Sequence, residues 1–162
     1  MESSSEILKW TVIIACVGSG MMAGLFGAFS TFMMKALGSL SDDEGIKAMQ
    51  AINRLIVRPS FLVVFFGTGI LCIVSAILSY GSTQGNASLT MAATAIYLSA
   101  CIVSTIAFNI PLNNQLDDVE PDSQQGRELW ARYLLVWTRW NHLRSLATLV
   151  SALLLGSAVG NA

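Results

Sequence analysis

The chain has 162 residues, of which 54% are hydrophobic and only 12% are charged, with a net charge of −1 and a mean hydropathy of +0.62. This composition excludes an ordinary water-soluble domain, because so apolar a chain of this length belongs in a membrane. The charges are also segregated, since Asp, Glu, Lys and Arg are absent from 10–34, 59–116 and 145–162.

The three uncharged blocks predict four membrane-spanning helices. A helix needs about 20 apolar residues to cross a bilayer, so the first and last blocks hold one span each and the middle block holds two. The turn signal Gly-Ser-Thr-Gln-Gly-Asn at 81–86 divides the middle block. We therefore predict an all-α integral membrane four-helix bundle, a single membrane domain over 1–162 with spans near 10–37, 59–80, 89–110 and 123–158.

The first span is predicted to remain in the protein. Residues 2–9 are acidic on balance, and the apolar run exceeds the roughly 7–15 residues of a signal peptide. The motif Gly20-x-x-x-Gly24 allows a second helix backbone to approach closely, which favours a packing role. A competing interpretation is that these glycines leave room for a ligand against Phe26 and Phe29.

A short helix near 42–54 is predicted at the membrane surface between spans 1 and 2. Ser41 and Glu44 fit a capping box that begins it. Its end places Asn53 and Arg58 just before the second span. Pro59 suits the first position of that span, because its missing N–H would have no helical partner.

The third span ends in Phe108-Asn-Ile-Pro-Leu-Asn113. Pro111 restricts the helix before it, so we place the end of the span near 110. Asn109 and Asn113 can present fixed hydrogen-bond donors and acceptors at the membrane boundary. The alternative is that they are an ordinary polar helix terminus.

The last helix carries most of the chemistry in the chain. At 100° per residue, six of its side chains share one stripe about 100° wide, and these are Trp130, Tyr133, Trp137, Trp140, Asn141 and Arg144. Arg132, Arg139 and His142 fall on the opposite side. The stripe is either the wall of a pocket for a flat ligand or an interfacial aromatic belt. We favour the pocket, because the stripe extends along about four turns whereas a belt rings a helix end.

Both polar connections of an up-down bundle belong to the same end. The 1–2 connection has four basic residues and the 3–4 region has four arginines, whereas the other side has only Lys9. This count predicts that both connections are cytoplasmic and both termini outside. The polar residues expected to converge at this end are Asn53, Arg58, Asn109, Asn113, Asn141 and Arg144.

Three short motifs follow one another along the chain: Asn53 after Ala48-Met-Gln-Ala-Ile, the segment Phe108-Asn-Ile-Pro-Leu-Asn113, and Trp137-Thr-Arg-Trp-Asn-His-Leu-Arg144. In this order they resemble the anthrone oxygenase family of small four-helix membrane proteins. The resemblance implies oxidation of an anthrone to an anthraquinone with O2 in aromatic polyketide pathways, without a recognised metal or organic cofactor. Carried over by position, it points to Asn53, Asn109, Pro111, Asn113, Trp137, Asn141 and Arg144.

Such chemistry requires a dry aromatic slot, donors for a developing oxyanion and a base. We assign catalysis to Arg144 and Asn141 as donors and to His142 as the candidate base, since histidine titrates in a suitable range although it lies opposite the stripe. The substrate-binding residues expected are Asn53, Arg58, Asn109, Asn113, Tyr133, Trp137 and Trp140. No metal site is predicted, because one histidine and no carboxylate within the spans cannot make a usual ligand set.

An enzyme is the favoured interpretation, with O2 as co-substrate and no cofactor. The first alternative is a non-catalytic membrane protein that binds a lipid or quinone head group, and the second is a structural subunit that packs through its first span. The partners expected are a hydrophobic aromatic small molecule or a lipid, together with the membrane. No nucleic acid is expected, and a homo-oligomer is an open alternative.

Overall fold

A computed structural model describes the backbone of residues 2–82 and 86–160, with side chains described from 5 to 82 and from 86 to 159. Every regular element in these ranges is helical. Four helices are long and apolar enough to cross a membrane: α1 (Ser5–Leu37), α3 (Pro59–Tyr80), α4 (Ala87–Asp117) and α5 (Gln124–Val159). The short helix α2 (Asp42–Ile56) joins the first two. The predictions of an all-α membrane bundle and of a multi-pass membrane protein are confirmed.

The surface helix α2 begins where its sequence predicts. Ser41 and Glu44 form the capping box, and the Glu44 carboxylate accepts a hydrogen bond from the Ser41 N–H at 3.3 Å. The Ser41 hydroxyl and then the Lys47 ammonium hold the pKa of the neighbouring Asp43 carboxyl below its ordinary value, because both stabilise its charged form. Pro59 occupies the start of α3, as predicted.

The turn between α3 and α4 lies partly outside the described residues. On its described side, Asn86 caps α4, since its side-chain oxygen accepts a hydrogen bond from the Leu89 N–H at 3.2 Å. This contact satisfies one of the free N–H groups at the start of the helix.

The end of α4 differs from the prediction, because the helix continues through Pro111 to Asp117 instead of ending near 110. Two π-helical segments precede this proline, Tyr97–Val103 and Thr105–Asn109. A proline ring normally clashes with the carbonyl four residues earlier. A local π-helical widening relieves this conflict and allows a membrane helix to tolerate proline.

Small residues bring α1 against its neighbours, but they are not the predicted ones. Gly18 packs directly against the Thr68 side chain of α3. By contrast, no atom lies within 4 Å of the position a Cβ would take at Gly20 or Gly24. The Gly20-x-x-x-Gly24 motif therefore faces outward, and it neither packs against another helix of the chain nor lines the cavity described below.

An apolar cluster covers the polar end of the bundle. Its buried members come from α1, α2, α4 and α5, and they are Phe29, Met34, Ile46, Met49, Leu112, Leu116, Trp130, Tyr133 and Trp137. Gly45 allows α2 to lie on α5, since an added Cβ would be only 2.9 Å from Cζ2 of Trp130. Gln50 Nε2 donates to the carbonyls of Leu116 and Val119, at 2.8 and 3.1 Å. The surface helix is thus fixed over the end of the bundle.

Candidate functional site

A cavity of about 130 Å³ lies beneath α2, between α1, α3, α4 and α5. Its wall is mostly apolar, and its polar lining residues are Asn53, Thr105, Asn113 and Arg144. An engineered apolar cavity of about 150 Å³ is known to accept benzene. The closed part of this cavity therefore accommodates about one aromatic ring, and a larger ligand must extend through an opening.

Arg144 is the one charged side chain among the described residues of the cavity wall, and it is only 5% exposed. Its guanidinium lies 4.5 Å from the centroid of the Phe26 ring and 5.1 Å from that of Trp137. Such placement over aromatic faces stabilises a desolvated cation. None of the three ion pairs in the described part of the chain involves it. A buried charge without a counter-ion is costly, which favours a functional role.

Hydrogen bonds fix one side of the Arg144 guanidinium. Its Nη2 donates to Asn141 Oδ1 at 2.7 Å, and its Nη1 makes a longer contact with Thr105 Oγ1 at 3.4 Å. The buried Nε has no hydrogen-bond partner among the described residues. Because Nη1 and Nη2 each carry a second N–H, Arg144 retains donor capacity for a ligand.

Asn141 lies behind Arg144, outside the cavity wall, and is fully buried. Its Nδ2 donates to the Phe26 carbonyl and to Ser30 Oγ, both at 2.8 Å, while its Oδ1 accepts from Arg144. All polar atoms of the side chain are therefore engaged within the protein. Its position suits orientation of Arg144, whereas the sequence suggested a donor to the ligand.

Two π-helical segments border the cavity, Phe29–Met33 on α1 and Thr105–Asn109 on α4. Phe29, Thr105 and Ile106 from these segments contribute to its wall. A π-helical turn inserts extra backbone into a helix and changes the direction of the side chains that follow, and it occurs frequently at functional sites.

Asn113 is the centre of a second polar group at the cavity, which also contains Asn53 and the polar atoms of Tyr133 and Trp137. Its Oδ1 accepts hydrogen bonds from the Tyr133 hydroxyl at 2.7 Å and from Trp137 Nε1 at 2.8 Å. Asn53 Nδ2 contacts the same tyrosine oxygen at 3.4 Å. Because two donors occupy the Asn113 oxygen, its amide N–H groups are the atoms that remain for a ligand.

The aromatic stripe of α5 forms a stack inside the bundle. The ring of Tyr133 is stacked with Trp130 at a centroid distance of 5.7 Å and with Trp137 at 5.6 Å. Tyr133 and Trp137 are buried, and Trp137 reaches the cavity wall. This arrangement agrees with a pocket wall and not with a lipid-facing belt for these residues.

Asn109 is buried beside the cavity without entering its wall. Its Nδ2 donates to the Trp137 carbonyl at 3.3 Å, and its Oδ1 has no partner among the described residues. It therefore joins α4 to α5 at the level of the site.

Three residues proposed for the site lie elsewhere. Trp140 stacks on the exposed Phe108 on the outer surface, with 3.7 Å between the two ring centroids. It lies at the edge of the stripe, 60° from Trp137 at 100° per residue, and therefore points away from the cavity. His142 is exposed on the far side of α5, and Arg58 is exposed at the start of α3. Of the residues expected to converge, Asn53, Asn113 and Arg144 line the cavity, with Asn109 and Asn141 behind them.

Much of the apolar wall gave no signal in the sequence. Phe61, Phe65 and Thr105 lie in long apolar runs, where cavity-facing and lipid-facing positions have the same composition. Phe26 and Phe29, against which the alternative interpretation of the first span places a ligand, both line the cavity, although Gly20 and Gly24 face outward.

The family model described as anthrone oxygenase matches residues 61–154, more than half of the chain. The matched segment includes nearly all of α3, all of α4 and the part of α5 that carries Trp137 and Arg144. No curated protein and no solved structure matches the chain.

Proposed function

The chain belongs to the anthrone oxygenase family, and from this premise we propose that it is a membrane-embedded, cofactor-independent monooxygenase. Its proposed substrate is an anthrone-like polycyclic phenol of the kind made in polyketide pathways, which it oxidises to a quinone with O2. The observation that carries the proposal is the buried Arg144, which faces an apolar cavity without an acidic partner among the described residues.

The proposed role of Arg144 is to stabilise the substrate anion. Loss of a proton from the ring methylene leaves a carbanion whose charge is delocalised onto the opposite oxygen. A preoriented guanidinium in a water-poor site stabilises such an oxyanion far better than water does. Asn141 contributes by holding the guanidinium in place.

The anion then reacts with O2 at the former methylene carbon. A carbon–oxygen bond forms, and protonation gives a hydroperoxide. Loss of water from this intermediate leaves the new carbonyl, so one oxygen atom enters the product and the other leaves as water. The substrate itself supplies the electrons, and the balance therefore requires no further reductant.

The second polar group is proposed to bind an oxygen elsewhere on the substrate. Asn113 offers its amide N–H groups, and Asn53 lies beside the same tyrosine hydroxyl. None of the described residues that line the cavity carries a carboxylate or an imidazole. We therefore assign to Arg144 the stabilisation of the anion and assign no side chain to removal of the proton.

The test is oxygen uptake by the purified protein in lipid nanodiscs with an anthrone as substrate. The initial rates of O2 consumption and quinone formation should exceed those of empty nanodiscs, and they should persist after dialysis against a metal chelator. A rate equal to that of empty nanodiscs, with folded protein and several hydroxylated anthrones, would contradict the proposal.

Replacing His142 with glutamine is expected to leave the turnover of this substrate nearly unchanged. The imidazole is exposed on the face of α5 opposite Trp137 and does not line the cavity. The measurement is the initial rate of quinone formation by protein of confirmed helicity. A large loss of rate with intact folding would instead show that the histidine takes part in the reaction.

The second candidate is binding of a quinone or lipid head group without turnover. The same cavity supports this candidate, because an apolar cavity that contains one cation also suits an oxygen-bearing head group. Saturable binding of a quinone without any oxygen uptake from anthrones would support this candidate over the oxygenase.

A further inference from the structure

The seam between α3 and α4 is closed along the half that lies away from α2. The Tyr97 hydroxyl donates to the Phe65 carbonyl at 2.9 Å, and Thr94 Oγ1 donates to the Cys72 carbonyl at 2.8 Å. Gly69 brings the helices so close that an added Cβ would lie 2.8 Å from Ile102 Cδ1. These contacts leave no space for a ligand along this part of the seam.

Beyond Phe65, toward α2, the cavity separates the same two helices. Its wall there consists of Phe61, Leu62 and Phe66 from α3 and of Ile106 and Ile110 from α4. Phe66, Ile106 and Ile110 are also exposed, and so is Val57, which lines the same cavity from the connection between α2 and α3. A side chain that lines the cavity and is exposed outside marks a lateral mouth between α3 and α4.

The mouth is wholly apolar, and its side at Ile106 lies well below the charged residues of the polar end. Ile106 precedes Asp117 by eleven residues, which corresponds to about 16 Å along a helix. Half of a bilayer core is about 15 Å thick. We therefore expect the mouth at Ile106 to open toward lipid chains.

The route between α2 and α5 at the polar end of the bundle is closed. Ile46, Met49, Leu116, Trp130 and Tyr133 are all buried there, and they pack in one cluster. A ligand arriving between α2 and α5 would have to displace this cluster.

We propose that the lateral mouth between α3 and α4 is the route by which the ligand enters the cavity directly from the bilayer. The ligand class is a flat, uncharged polycycle that dissolves in lipid and reaches Arg144 only after it has passed Phe66 and Ile106. The identity of this ligand rests on the proposed oxygenase function, whereas the route itself does not.

The experiment compares two variants of α4 that differ by one helical turn. Ile106 is 53% exposed and Val103 is 57% exposed, but only Ile106 lines the cavity. Ile106→Phe places a larger side chain in the mouth, whereas Val103→Phe places the same phenylalanine on the exposed surface outside the cavity. Anthraquinone, a probe that the reaction does not consume, is mixed with each protein in nanodiscs, and the quenching of native tryptophan is followed by stopped flow.

The association rate constant is expected to fall on the order of tenfold in Ile106→Phe, because entry then requires a rearrangement. The dissociation rate constant should fall with it, while Val103→Phe should resemble the wild type. Equal association rates for the two variants would overturn the proposed route, as would the absence of quenching in the wild type.

A second pair of variants covers the case in which Ile106→Phe does not fold. Phe66→Ala widens the mouth and should accelerate association, and Ile70→Ala is its control, since Ile70 is exposed one turn further along α3 and does not line the cavity. An unchanged rate in Phe66→Ala would overturn the proposal. Because binding is measured without turnover, a failure of the oxygenase function appears separately, as binding without oxygen uptake.

Discussion

Replacement of Arg144 by lysine is expected to reduce turnover of the confirmed substrate by about ten- to a hundredfold, although the charge is retained. The planar guanidinium donates to Asn141 on one side and is proposed to donate to the substrate oxyanion on the other. An ammonium group cannot reproduce both contacts in this geometry. Loss of one hydrogen bond to a charged group corresponds to about 1.5–3 kcal/mol. The measurement is kcat/KM for quinone formation.

The matched control is Arg132→Lys, on the same helix. Arg132 is exposed and does not line the cavity, so a contact of this residue with solvent or lipid head groups needs mainly positive charge. Activity should therefore remain close to that of the wild type. If both arginines tolerate lysine equally in folded protein, Arg144 does not bind the reacting oxyanion.

Replacement of Trp130 by alanine is expected to lower the free energy of unfolding by about 3–5 kcal/mol, the usual cost of removing a large aromatic side chain from a packed core. Trp130 is 1% exposed, stacks with Tyr133 and packs against Gly45 of α2. Its loss would leave a void where α2 meets α5. The measurement is reversible unfolding in mixed micelles, followed by circular dichroism.

Trp10→Ala provides the comparison, because Trp10 is 56% exposed on the outer surface of α1. Its removal creates no internal void, and a much smaller effect is expected. Equal destabilisation by the two changes would mean that the α2–α5 contact does not contribute in the way the packing indicates.

The sequence by itself determined the number of spans and the end of the bundle at which the polar residues gather. Nineteen charged side chains leave three long blocks uncharged, and the high cost of placing a charge in hydrocarbon makes such blocks unambiguous. The cap of α2 and the position of Pro59 were predictable for a related reason, since free backbone groups at helix ends require specific partners. The hypothesis of a role for Arg144 followed from the rarity of a cation among apolar residues.

Only the tertiary structure decided which face of each helix meets the cavity. A soluble helix separates its polar and apolar faces, whereas a membrane helix is apolar toward both lipid and bundle, so periodicity carries little information. The helical stripe grouped Trp140 with Trp137, but neighbouring helices leave Trp140 outside and enclose Trp137. The π-helical segments also depend on packing, and one of them allows α4 to continue past Pro111. The lateral mouth arises where α3 and α4 separate, and no local pattern encodes the distance between two helices.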